Sequence, residues 1–121
     1  MRKLLLLLLM GIFLSFHISA SAQSDVSLSF ATVQLWPEYD DPSMLVIVDF
    51  QVAATTALPA TLTFRIPAEA NLIAVASDTG NGQFLDHPYT GPNPEGEYQT
   101  FSMVLEQNTP YRFEYYQPLS Y

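Results

Sequence analysis

Few residues in this chain could do chemistry, and their spacing limits what they can do. His87 stands beside Asp86, which suggests the imidazole and acid of a hydrolytic triad. Neighbours on an extended strand point to opposite faces, however, so the two do not readily meet. Glu95 and Glu97 are carboxylates of the kind that cleave glycosides. That reaction holds its acids across a cleft at a fixed separation, and in a stretch rich in Pro and Gly solvated loop acids are the plainer reading. Asp40 and Asp41 in one turn, and Asp78 with Asn81 in another, offer hard oxygen ligands for calcium. The spacing is not that of an EF-hand, and aspartates capping their own turns are the plainer reading. With no cysteine anywhere in the chain, thiolate catalysis and Cys-ligated zinc are excluded. The sequence therefore names no catalytic, cofactor-binding or metal residue, and the chain reads as a non-enzyme.

Aromatic residues are the remaining material for a site. Trp36 is the only tryptophan, and Tyr39, Tyr89, Tyr98, Tyr111, Tyr115, Tyr116 and Tyr121 are the tyrosines. Exposed rings could stack on sugars or meet another protein. Trp36 reads as an aromatic plug at one end of the core, Tyr111 and Tyr115 as inward-facing, and Tyr116 as available to a neighbouring domain. Arg112 and Glu114 share a strand face and are expected to pair across strands.

The elements that must position these groups are strands. Val33 to Val52 holds two apolar runs separated by Asp40-Asp41-Pro42-Ser43, the signature of two antiparallel strands. Met44, Val46, Val48, Phe50 and Val52 share one face; the other, with Leu45 and Ile47, is half apolar, so this strand should be central. Before it, Val26, Leu28 and Phe30 alternate in one phase and Val33 and Leu35 in the other, which predicts a bulge near Ala31-Thr32. Leu62, Phe64 and Ile66 alternate with Thr61, Thr63 and Arg65. Leu72 to Ser77 is another strand, Asp78 to Gly82 a turn, and Gln83 to Tyr89 a short strand interrupted by Pro88. Thr90 to Glu97, with two prolines, two glycines and two glutamates, reads as an exposed loop or hairpin tip. Phe101, Met103 and Leu105 form one strand and Tyr111, Phe113 and Tyr115 another, the last two expected to make a hairpin around Asn108-Thr109-Pro110. No segment after residue 22 sustains helical periodicity. About seven short strands at this spacing predict an all-β, antiparallel, immunoglobulin-like β-sandwich, with a small barrel second.

Arg2 and Lys3, the apolar run Leu4 to Phe16, and Ala20-Ser21-Ala22 have the layout of a cleaved secretory signal peptide over 1–22. The run is shorter than a membrane span, and no cysteine follows it to carry a lipid. The remaining residues, 23–121, are enough for a single domain. Only Arg65 and Arg112 would then face twelve acids, a balance that opposes nucleic-acid binding and attachment to anionic lipid. It favours solubility, divalent cations or cationic partners.

Three stretches, Leu35 to Asp40 with Pro42 to Ile47, Leu58 to Pro67, and Phe113 to Leu119, resemble the first domain of a group of uncharacterised bacterial exported proteins. The resemblance covers nearly all of the chain after the signal. It implies a β-sandwich followed by a second extracytoplasmic β domain and often a membrane anchor, and it carries over no catalytic or binding residue. Those proteins continue where this chain stops at Tyr121, so the chain is expected to be either a fragment or a single-domain secreted relative. The function expected is a non-catalytic exported module for interaction or spacing at the cell envelope or surface, with a protein or glycan partner and no cofactor. A carbohydrate- or calcium-dependent binding module is the alternative.

Overall fold

The computed structural model describes residues 26–38 and 42–120. The signal segment, Tyr39, Asp40, Asp41 and Tyr121 lie outside the described residues. Among the described residues eight antiparallel strands form two sheets: β1 (Leu28–Pro37), β2 (Ser43–Val52), β3 (Ala60–Pro67), β4 (Asn71–Asp78), β5 (Phe84–Asp86), β6 (Thr90–Glu95), β7 (Tyr98–Leu105) and β8 (Tyr111–Pro118). One sheet has the order β1-β2-β8-β4-β5, the other β3-β7-β6. The fold is the expected all-β sandwich, and among the described residues no helix is long and apolar enough to cross a membrane.

Period-2 alternation builds the core. Leu62 and Ile66 of β3, and Phe101, Met103 and Leu105 of β7, turn inward and are buried, while Thr61, Thr63 and Arg65 stay in solvent. They meet Phe50 and Val52 of β2, Val75 of β4, and Tyr111 and Phe113 of β8. Rings interlock between the sheets, Phe64 lying 4.9 Å from both Phe50 and Phe113, and Phe101 5.1 Å from Phe113. Tilted and edge-on contacts of this kind add to the hydrophobic burial that holds a fold without disulfides. As expected, β2 is central, paired with β1 on one side and β8 on the other.

Four expectations need correction. The irregularity in β1 falls between Leu28 and Phe30 rather than near Ala31-Thr32. Ser29 is the extra residue, and its Oγ donates to the Gln51 carbonyl at 3.1 Å. From Phe30 to Pro37 the register is regular, so the expected change of phase is real but falls two residues earlier: the extra Ser29 puts Leu28, opposite Val52, on the same inner face as Val33 and Leu35, and leaves Phe30 on the outer one. Trp36 is no plug: it stands on β1 and is 42% exposed. Thr90 to Glu97 is exposed and ends in a hairpin tip at Gly96-Glu97, as one of the two expected forms has it, but its first six residues are not loop: they form edge strand β6. Pro92 and Pro94 are compatible with this because an edge strand need not donate on its outer side. Finally, β7 and β8 do not pair. Each already has two neighbours in a different sheet, so the segment 106–110 crosses between sheets.

That crossing is fastened by side chains. Tyr111 Oη donates to the Gln107 carbonyl at 3.0 Å, an arrangement like the tyrosine corner of Greek-key sandwiches. Gln51 Nε2 donates to Asn108 Oδ1 at 2.8 Å, and Asn108 Nδ2 to the Ala53 carbonyl at 3.3 Å, joining the crossing to the end of β2.

Candidate functional site

His87 lies where the chain passes from β5 to β6, from one sheet to the other. Its backbone N–H donates to the Val75 carbonyl of β4, and its Nε2 meets the Val104 carbonyl of β7 at 2.8 Å. A carbonyl only accepts, so Nε2 carries the proton. The ring also stands edge-on to Tyr111, 5.2 Å between centroids. This geometry assigns His87 to fastening the sheets together: its main chain is tied to β4 and its ring to β7, and Asp86 sits in register with Ala76 on β4.

Two open depressions flank His87 and Glu106. One, of about 430 Å³, is lined by Thr61, Thr90 and Ser102 with the ring of Tyr89. The other, of about 350 Å³, is bordered by Asp78, Thr79, Gln107 and Thr109. Asp78 is engaged in its own turn, Oδ1 accepting from Gly80 N at 2.7 Å and Gly82 N at 3.1 Å. Asn81 Oδ1 accepts from Thr79 Oγ1. Among the described residues no three His, Asp or Glu side chains gather to hold a metal.

The other carboxylates are similarly occupied or scattered. Glu95 pairs with Arg65 at 3.3 Å, both well exposed, and Glu97 follows across the Gly96 turn rather than across a cleft. Arg65 also lies over the Tyr98 ring, 5.4 Å from its centroid. On the outer face of the five-stranded sheet, Arg112 Nε donates to Asp49 Oδ1 at 2.6 Å and Nη2 to Oδ2 at 3.2 Å, with Glu114 3.9 Å away and the Phe84 ring 4.4 Å below. The Asp49 bond raises the guanidinium's pKa above its ordinary value, so the half-buried Arg112 stays charged. Among the described residues the exposed rings do not form one platform. Trp36 belongs to the five-stranded sheet, whereas Tyr98 and Tyr89 lie toward opposite ends of the β6–β7 hairpin in the other.

The surface that stands out carries no chemical group: it is strand β1. Nine of the ten residues of β1 are exposed, and Leu28, Phe30, Val33, Leu35 and Trp36 are 41–59% exposed. Opposite residues of an antiparallel pair share a face, and Ala31, Val33 and Leu35 oppose Phe50, Val48 and Val46. They therefore extend the inner, core-facing side of the sheet beyond the cover of the second sheet. Phe30, Thr32, Gln34 and Trp36 lie on the outer side.

The backbone direction follows from one bond. Glu38 N donates to the Ser43 carbonyl, which makes residues 38 and 43 a hydrogen-bonded pair. By alternation residues 36, 34 and 32 turn their peptide groups toward β2, and Leu35, Val33 and Ala31 turn theirs away from the molecule. The other edges are guarded in the usual ways. Strand β5 is three residues long, β6 contains Pro92 and Pro94, and β3 carries Arg65 between Pro59 and Pro67. Strand β1 has no charge, and between its bulge at Ser29 and its Pro37 no other strand among the described residues pairs with the outer edge of residues 30–36. The signal was visible in the sequence: Val26 to Pro37 contains no charged residue and is apolar in both phases.

No family model matches the chain, and no curated protein or solved structure is significantly similar to it.

Proposed function

We propose that this chain is a non-catalytic, exported β-sandwich module that joins protein partners at the cell envelope or surface by adding a strand along β1. The observation that carries this reading is the uncharged, apolar and open edge over residues 30–36, with three outward-turned peptide units at Ala31, Val33 and Leu35. Strand addition uses such an edge: main-chain bonds supply affinity and alternate side chains supply selectivity. The signal-like N-terminus supports export, and the two-arginine, twelve-acid balance directs the module away from nucleic acid and anionic lipid.

Trp36 makes the reading testable, because the sole tryptophan stands on the strand in question. Titrating the protein with a peptide of residues 28–37 carrying Trp36→Phe should shift Trp36 emission to the blue as the ring leaves water. Unchanged emission up to millimolar peptide would remove strand addition.

The Tyr89 depression, with its threonine and serine hydroxyls, favours a second reading as a carbohydrate-binding module. A glycan bound there raises the melting midpoint without altering Trp36, since only native-state binding stabilises.

A further inference from the structure

We infer that the strand received by β1 is β1 of a second copy of this chain, the two joining about a twofold axis through Val33. This rests on the strand-addition reading above and names its partner. The argument is one of register. Outward-turned residues must face outward-turned residues for their N–H and C=O groups to bond, and the available set is Ala31, Val33 and Leu35. An antiparallel alignment centred on Val33 uses all three: Val33 faces Val33 of the second copy, Ala31 faces Leu35, and Leu35 faces Ala31, each pair exchanging both backbone bonds.

The side chains fit the same alignment. On the inner side it sets Val33 on Val33 and Ala31 on Leu35, small against large. On the outer side it sets Phe30 against Trp36 and Thr32 against Gln34, so an aromatic pair closes each end. Such cross-strand pairs are the unit of sheet stabilisation. The bulge at Ser29 and the proline at 37 bound the paired segment at both ends, one disrupting the ladder and the other lacking a donor. Like charges never oppose each other, because the strand has none. An isologous contact of this kind closes on itself and makes a dimer, not a fibre, with the five strands of each copy continuing into one sheet.

Size places the dimer in the weak class. The five large side chains of β1, 41–59% exposed, present roughly 500 Å² of apolar surface, near the upper end for a patch left on a monomer. That is below the ~800 Å² per partner of a standard interface. Association at concentrations on the order of tens of micromolar is expected. A net charge of −8 on each full chain opposes approach, so salt should strengthen it.

The test uses the full-length chain, purified as its host processes it. Sedimentation equilibrium from micromolar to millimolar protein should show a monomer–dimer equilibrium. Val33→Lys, which places two cations face to face on the axis, should weaken it at least tenfold, whereas Leu85→Lys on the opposite edge, where Leu85 is 53% exposed, should leave it unchanged. The chain has no cysteine, so Val33→Cys introduces a single thiol. Opposed Cα atoms in a hydrogen-bonded pair lie about 5.5 Å apart, within disulfide reach. Mild oxidation should therefore give a covalent dimer from Val33→Cys and far less from Leu35→Cys. A monomer at every concentration, a dimer indifferent to Val33→Lys, or cross-linking that favours Leu35→Cys would each overturn the inference. Peptide binding to a chain that stays monomeric would keep strand addition and reject the second copy; absence of both would reject both.

Discussion

At the residue scale, the fold depends on polar side chains that hold connections the core does not reach. Tyr111 is 2% exposed, and its hydroxyl donates to the Gln107 carbonyl across the segment that leads from β7 into β8. Tyr111→Phe keeps the ring in the core and removes only that bond, leaving a carbonyl without its partner. The expected loss is about 1–2 kcal/mol, read by urea unfolding at unchanged slope, which would indicate a change of stability and not of compactness. That Tyr111 is buried could be read from its alternation with Phe113 and Tyr115. That its hydroxyl fastens a crossing could not, because the expected β7–β8 hairpin contains no crossing to fasten. His87 shows the same limit. The alternation that separates it from Asp86 was legible, but its bond to Val104 depends on which strand passes beside it. Asp49 and Arg112 were separated by 63 positions and became partners only once β8 was placed against β2.

At the element scale, strand existence was legible wherever one face is buried, because burial imposes a period of two. Leu62, Phe64 and Ile66, and Phe101, Met103 and Leu105, are such cases. Where neither face is covered the period carries little information: β6, exposed at every residue, was read as a loop or hairpin tip, and in β1, exposed at nine of ten residues, the bulge was placed two residues late. Strand β6 pairs with β7 despite an irregularity between Thr90 and Asn93, and Gly91 allows that irregularity. Its φ is +103°, and a Cβ there would lie 2.8 Å from the Thr100 carbonyl oxygen. Side chains avoid this conformation and cannot accept that contact without moving β7. Gly91→Ala should therefore destabilise the protein by about 1–3 kcal/mol, lowering the melting midpoint by at least several degrees in a domain of this size. Protection of β7 amides from hydrogen exchange should fall more than that of β2, whose partners are β1 and β8. A uniform loss across both sheets would instead mean that β6 is integral to the cooperative core.

At the scale of the whole molecule, charge and apolar surface act on two different equilibria. The described residues carry two arginines, both paired with carboxylates, and the acids outnumber them, so negative charge is in excess. Self-repulsion of this kind destabilises a compact state, and the screening length falls from about 20 Å to about 6 Å as salt rises from roughly 20 to 300 mM. Salt should therefore raise the melting midpoint of the monomer by about 2–5 °C, measured at protein concentrations too low for association. The opposite sign would mean that Arg112–Asp49, which salt weakens, outweighs the dispersed repulsion. That pair is half-buried and bidentate, so it is screened less than the exposed acids, and the rise should dominate. The same screening strengthens self-association through β1, and Val33→Lys separates the two effects. In that variant the salt response of the melt should persist, while the salt response of the dimer disappears with the dimer. If both vanished together, the response of the melt would belong to the interface, and the monomer would owe its stability to the aromatic core with little regard to its charge.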